Sequence, residues 1–326
     1  MFVSGISKTL LNASGYDPCF LGRENEVTLP LLLPRLRHAV APIRYDGEEN
    51  LLNYVHYSVV QHRERRFPIY TAANIDGTQF VELPRDTLFP GGRDRWRTDP
   101  RIDRDHQWGY ELYRARKSDF DRGHLTKRED VQWGPTEQLA RTGARLTFYY
   151  TNSVPQHRRL NRRLWLDLED YVLHAESVAL DLRINLFTGP ALRDNDPVFV
   201  TEVAGQRVQL PAYFWKVIYY TRANGALYRV GFLVGQEEVL NREGITETAP
   251  VERGVAPLPE DIYFMDFDQA DTYQVPVSLI EALTDLRFHP AHEVLPTERG
   301  PLELKLEQVN VRGMEKPMLF VDGLLL

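Results

Sequence analysis

The apolar stretches of this chain are short, and most of them alternate with polar residues. "LNYVHYSVVQH" (52–62), "PVFVTEVAGQRVQLP" (197–211), "AYFWKVIYYT" (212–221) and "ALYRVGFLVG" (226–235) read as strands. Only "RRLWLDLEDYVLHAES" (162–177) combines freedom from Gly and Pro with apolar residues, Leu164, Leu168, Tyr171 and Val172, at helical spacing. One central helix with strands before and after it predicts an α+β fold. The remaining stretches fit that order. Residues 67–83 suggest two short strands about an "IDG" turn, and 145–153 a strand with a polar end. Residues 177–190 suggest a long strand or a pair closed by Gly189 and Pro190, and 278–288 a short helix. There is no internal repeat. Residues 1–49 read as an N-terminal extension, 50–290 as the main domain, and 291–326 as a C-terminal extension with a charged strand and an apolar end.

Composition removes several classes of function. At 326 residues, with 43% hydrophobic and 26% charged, the chain can bury a sizeable core and is neither disordered nor fibrous. One cysteine, Cys19, excludes an intramolecular disulfide framework and a thiolate zinc site. The first residues lack a basic start followed by an apolar run, and the densest apolar runs are too short to span a bilayer. A cytoplasmic location and no membrane partner follow by default. The net charge is −7. Any polyanion must therefore be met by a local positive field. Two segments offer one: 91–104, with Arg93, Arg95, Arg97, Arg101 and Arg104, and 157–163, with Arg158, Arg159, Arg162 and Arg163. Each reads equally as a solvated face.

The chemistry concentrates around "DFDRGHLTKREDVQWG" (119–134), where His124 follows Asp121, Arg122 and Gly123. Downstream, "TNSVPQHRRLNRRLWLDLED" (151–170) supplies Asn152, Asn161 and Glu169. Asn161 falls near the start of the expected helix. Glu169, a little over two turns on, projects from about the same face. Phosphodiester cleavage by water needs a base for the nucleophile and positive charge at the phosphate. A neutral imidazole, with an ordinary pKa of about 6.5, suits the first role. A magnesium ion, which takes oxygen ligands and keeps waters, suits the second. Asn161 can supply an oxygen, Glu169 can hold metal-bound water, and Arg122 can contact a phosphate. Asn152 can bond the His124 ring or fix its loop. Plainer roles stand beside these: His124 as a structural strand histidine, Asn161 as a helix N-cap, Glu169 as a solvated helix residue, Trp165 as core, and Arg122 paired with Asp121 or Asp119.

"DRGH" at 121–124, "TN-x-x-PQ" at 151–156 and "LN-x-x-x-W-x-x-LE" at 160–169 together resemble the DNA/RNA non-specific endonuclease family of ββα-metal nucleases. "TGP" (188–190), "AYFWKVIYY" (212–220) and 275–288 resemble its later strands and short helix. The resemblance implies a His-Me finger (ββα-metal) fold with a central, mostly antiparallel sheet flanked by helices. It implies His124 as general base, Asn161 as the protein ligand of one Mg2+ that Mn2+ can replace, and Glu169, Asn152 and Arg122 as supporting residues. Products would be 5′-phosphate and 3′-hydroxyl ends. An upstream arginine near the scissile phosphate would be Arg93 or Arg95, and Arg158 would flank the nucleic acid backbone without reading sequence. Members of the family are often dimers.

Other catalytic schemes find no footing: the sequence lacks G-x-S-x-G, H-E-x-x-H and a phosphate-binding G-x-x-x-x-G-K-[ST] loop, and Cys19 has no nearby histidine. Two functions remain. One is a magnesium-dependent nuclease acting on DNA and RNA, held in check by an inhibitor or an activating partner, as a toxin or defence effector. The other is a catalytically silent relative that binds nucleic acid or protein.

Overall fold

The computed structural model describes residues 7–44, 50–161, 181–247, 272–295, 301–309 and 318–322. Among these, the strands in chain order are β1 (Leu31–Leu32), β2 (Leu52–Tyr54), β3 (Tyr57–Gln61), β4 (Pro68–Asp76), β5 (Phe120–His124), β6 (Ser153–His157) and β7 (Arg183–Ala191). They continue as β8 (Tyr213–Thr221), β9 (Leu227–Gly235), β10 (Thr272–Val275), β11 (Leu286–Arg287), β12 (His292–Glu293), β13 (Leu302–Val309) and β14 (Met318–Asp322). Nine of them form an antiparallel path, β14-β13-β10-β9-β8-β7-β4-β3-β2, and β12 joins β9 in parallel. Helices are few and short, which makes the fold α+β with a large antiparallel sheet.

Period-two alternation gives this sheet two buried faces. On β8, Phe214 and Ile218 point to one side, where they pack with Val230, Phe232 and Val234 of β9. Trp215, Val217 and Tyr219 point to the other. The first face is covered by Phe120, Val154 and Leu160. The second is covered by Tyr16, Val27, Leu36 and Val40 from the N-terminal segment, and by Val277 and Ile280 from the helix Val277–Thr284. Residues 7–44 therefore supply part of the core.

Several local expectations change. The stretch 52–62 is a hairpin, β2 and β3, that turns through His56 at φ +68°. The stretch 67–83 holds one long strand, β4. Asp76 ends it by accepting hydrogen bonds from the Thr78 amide at 3.1 Å and its hydroxyl at 2.6 Å, which starts a tight turn. Residues 145–153 are not a strand. They close the helix Glu137–Leu146, capped by Thr136, and then turn through Tyr150–Asn152. Phe148, Tyr149 and Tyr150 bury in three separate clusters, a three-way divergence that a pleated strand cannot make. Residues 197–211 form only isolated bridges, such as Val198 with Gln209. The expected helix at 162–177 lies outside the described residues.

Buried histidines make the fold acid-sensitive. Burial pushes His56 and His62 from 6.5 down to about 4. His62 Nδ1 also accepts from the amides of Glu64 and Arg65, both at 3.2 Å, which requires an unprotonated nitrogen. In the unfolded chain these rings take up protons below about 6.5, and in the folded chain only near 4. Their stabilising contribution is therefore complete above pH 6.5 and erodes as the pH falls toward 4. The melting temperature is expected to drop steadily over that interval. A flat Tm between pH 7 and 4.5 would contradict it.

Candidate active site

Among the described residues β5 and β6 pair only with each other, antiparallel, with His124 opposite Ser153 and Phe120 opposite His157. Gly123 lets the two strands close up, because a Cβ there would run into the Gln156 side chain. The hairpin is tied to the large sheet through Gln236, just past β9. Its Oε1 accepts from the His157 amide at 2.8 Å and its Nε2 donates to the Pro155 carbonyl at 3.1 Å. β6 leads straight into the helix Arg158–Asn161, which buries Leu160. Asn161 is the last described residue of that helix.

His124 ends β5 against an aromatic wall. Its ring lies 4.7 Å from Trp96 and 5.0 Å, edge-on, from Phe148. Its Nε2 is shut from water and has no hydrogen-bond partner. Burial, and next the positive charge of Arg85, push its pKa from 6.5 down to about 3; Asp94 opposes this, while Arg128 and Lys127 add to it. The imidazole is therefore neutral, with a nitrogen still to be satisfied. Arg122 lies between the rings of Trp96 at 5.8 Å and Tyr113 at 5.5 Å. Its Nε is likewise buried without a partner. Two unsatisfied buried polar atoms, one basic and one cationic, are what a site awaiting water and an anion leaves behind.

Asn152 does not reach this pair through its amide. It is fully buried, accepts from the Thr126 amide at 2.9 Å, and donates to the carbonyls of Thr126 at 2.9 Å and Thr147 at 3.1 Å. It fixes the loop that leaves β5. Arg158 is half exposed and paired with Asp119 at 2.9 Å. Arg93 and Arg95 are exposed on their loop, and Arg95 donates to Pro90 at 3.3 Å. The side chain of Asn161, and all of Trp165 and Glu169, lie outside the described residues. An amide and a carboxylate are the oxygen donors that magnesium takes, so the set fits that ion in kind.

Sequence reasoning missed Arg85. It sits in the short turn Arg85–Thr87, pairs with Asp94 at 2.5 Å, and lies over the Phe148 ring at 5.8 Å. No spacing in the sequence ties it to a histidine so far along the chain. Trp96 was equally hidden. Its loop is held by backbone bonds, from the Arg97 amide to Phe148 at 3.0 Å and from the Tyr150 amide to Arg97 at 2.9 Å. Removing the positive charge in Arg85→Ala is expected to raise the His124 pKa, as read by NMR titration of the ring. A fall would rule out the charge arrangement described.

Arg101 is not part of a positive surface. It is fully buried and grips Asp99 with Nη2 at 2.7 Å and Nε at 3.0 Å, while Nη1 donates to the Asn53 carbonyl at 2.6 Å. Tyr54 joins this pair to Thr151, the neighbour of Asn152, at 2.5 and 2.6 Å. Arg101→Met strands the Asp99 carboxylate and is expected to cost about 3–5 kcal/mol in urea unfolding. A loss under about 1 kcal/mol would show the pair to be dispensable.

The chain is similar to several known proteins. The DNA/RNA non-specific endonuclease family matches residues 41–294. Uncharacterized protein y4fB of Sinorhizobium fredii is 36% identical over 234 residues, covering 69% of this chain and 33% of that protein. Human mitochondrial endonuclease G is 28% identical over 189 residues, covering 55% of this chain and 58% of the human one. The Bos taurus enzyme is 28% identical over 150 residues, covering 44% and 45%. The chain thus spans about a third of y4fB and roughly half of endonuclease G. In fold it resembles the crystal structure of the EndoG/EndoGI complex, with a TM-score of 0.51 at 19% identity over 75% of this chain and 87% of that one. A family match over most of the length, together with a His124 hairpin laid on a large antiparallel sheet, places this chain in the DNA/RNA non-specific endonuclease family.

Proposed function

We propose that this protein is a magnesium-dependent, sugar-non-specific endonuclease that hydrolyses DNA and RNA to 5′-phosphate and 3′-hydroxyl ends. The observation that carries the reading is the neutral His124 on the same strand as Arg122, whose guanidinium lies against the ring of Trp96, which also packs on His124. As base, the neutral His124 ring takes a proton from water. The oxygen adds to phosphorus, and the 3′-oxygen leaves on the other side. Arg122 binds the phosphate, and Arg85 adds positive charge nearby. Arg93, Arg95 and Arg158 steer the flanking backbone. Asn161 would hold the magnesium ion and Glu169 would orient its water, and the ion, or manganese in its place, would supply charge neutralisation at the phosphate. Asn152 acts by positioning the β5 exit.

Plasmid, single-stranded DNA and RNA, each incubated with the protein and magnesium or with chelator, test the reading directly. Magnesium-dependent nicking is expected. Binding without cleavage would favour the silent relative, whose motivation is the net charge of −7. Such a nuclease needs restraint. The solved EndoG/EndoGI complex concerns inhibition of EndoG, and we extend that mode to this chain: an inhibitor or activating partner, a role as toxin or defence effector, and work as a homodimer. No helix among the described residues is long and apolar enough to cross a membrane. We place the protein in the cytoplasm.

A further inference from the structure

The hairpin carries a second group of metal-ligating side chains at its other end. Asp119, just before β5, His157, the last residue of β6, and Glu243, just past the helix Glu237–Arg242, bring one ligand atom each within 4.8 Å of the others. His157 Nε2 lies 2.9 Å from Glu243 Oε2 and 3.8 Å from Asp119 Oδ2. The imidazole is fully buried, while the carboxylates, 37% and 22% exposed, open to solvent. With His124 opposite Ser153 and His157 opposite Phe120, the group stands four strand positions from the base. That is roughly 13 Å along the hairpin, too far to share an ion with His124.

We propose that Asp119, His157 and Glu243 form a zinc site separate from the nuclease centre, which staples the hairpin to the segment that follows β9. Two donors on a tetrahedral zinc stand about 3.4 Å apart, given bonds of about 2.0–2.2 Å. The two measured separations lie on either side of that distance. One imidazole and two carboxylates select a borderline transition ion over magnesium, which prefers oxygen throughout. Three protein ligands leave the fourth position to water, on the exposed side. Binding uses the Nε2 lone pair, so the direct contact between His157 and Glu243 gives way to a bond from each to the ion. Arg158, which holds Asp119 at 2.9 Å, competes with the ion. The staple would fix the root of the helix Arg158–Asn161, and so the residue proposed to hold the catalytic ion. The site itself rests on no assumption about cleavage.

The test uses the full chain carrying His124→Asn, in millimolar Mg2+ so that the nuclease centre is filled. It is titrated with Zn2+ by calorimetry and with Co2+ by visible absorption. The expected result is one ion per chain, a four- or five-coordinate Co2+ spectrum, and a higher Tm. Glu243→Gln and Asp119→Asn are each expected to weaken binding at least tenfold while the circular dichroism stays unchanged. Arg158→Met is expected to tighten it. No uptake by the parent chain, or uptake unaffected by Glu243→Gln, overturns the site. Since neither readout involves cutting, a chain that binds zinc here and never cleaves nucleic acid would fail the proposed function alone.

Discussion

His124→Ala is expected to lower magnesium-dependent plasmid cleavage by about 10²–10⁴-fold, the usual contribution of a positioned general base. It should do so without unfolding the chain. The change deletes ring contacts with Trp96 and Phe148, which costs stability, but it also removes a buried nitrogen that has no partner, which offsets part of that cost. The pH profile of kcat/KM adds a sharper reading, because it reports groups of the free enzyme. With His124 pushed down to about 3, its neutral form is complete throughout the neutral range. The wild-type profile should then show no histidine inflection near 6.5. A clear inflection there that vanishes in His124→Ala would mean that the ring is solvated and the described burial wrong. An alanine variant that cuts at the parent rate would remove His124 from the mechanism.

Deleting residues 1–44 is expected to abolish folding. Leu10, Tyr16, Phe20, Val27, Leu36, Val40 and Ala41 are all buried. Each large side chain among them is worth about 1.5–3 kcal/mol. Together they rival the whole stability of an ordinary domain, about 5–15 kcal/mol. Hydrogen bonds add to this: Tyr16 donates to the Val27 carbonyl at 2.8 Å, and its amide donates to Ser58 at 2.9 Å. Arg35 also reaches Asp285 at 2.6 Å. The truncated chain should appear as aggregate with no cooperative melting transition. A soluble fragment melting close to the parent would show that the segment rests on the sheet without supporting it. A control function for this segment is better tested by surface substitutions than by removal.

What could be read beforehand followed from local pattern. β8 and β9 fall where their β-branched and aromatic runs put them, whereas the helix expected at 278–288 ends at Thr284, because Asp285 turns left-handed and Leu286–Arg287 pairs as a strand with β1. The three motifs named His124, Arg122 and Asn152, and the chain does bring them to one hairpin and its exit loop. The failures share a cause. The helix Glu137–Leu146 carries a Thr136 cap, yet Gly143 and a run of polar residues hid it; that glycine is needed because a Cβ would stand 2.6 Å from the Val131 carbonyl. The N-terminal segment has no period because its apolar residues fill separate gaps, Leu10 against Leu52 and Tyr54, Phe20 against Trp133, and Tyr16, Val27, Leu36 and Val40 over the sheet. Arg85 and Trp96 act on His124 only through tertiary packing, and Arg101 looked like surface because a buried ion pair and a solvated charge are spelled alike.

Among the described residues, the two strands of the His124 hairpin trade no ladder hydrogen bonds with the ten-stranded sheet. One glutamine side chain, with its amide serving as a stand-in for a neighbouring backbone, and a greasy underside hold them in place. Such an element behaves as an inlay. The sheet beneath can thicken or gain strands at its edges without breaking a ladder bond of the hairpin, so the fold can vary in one part while His124 keeps its place.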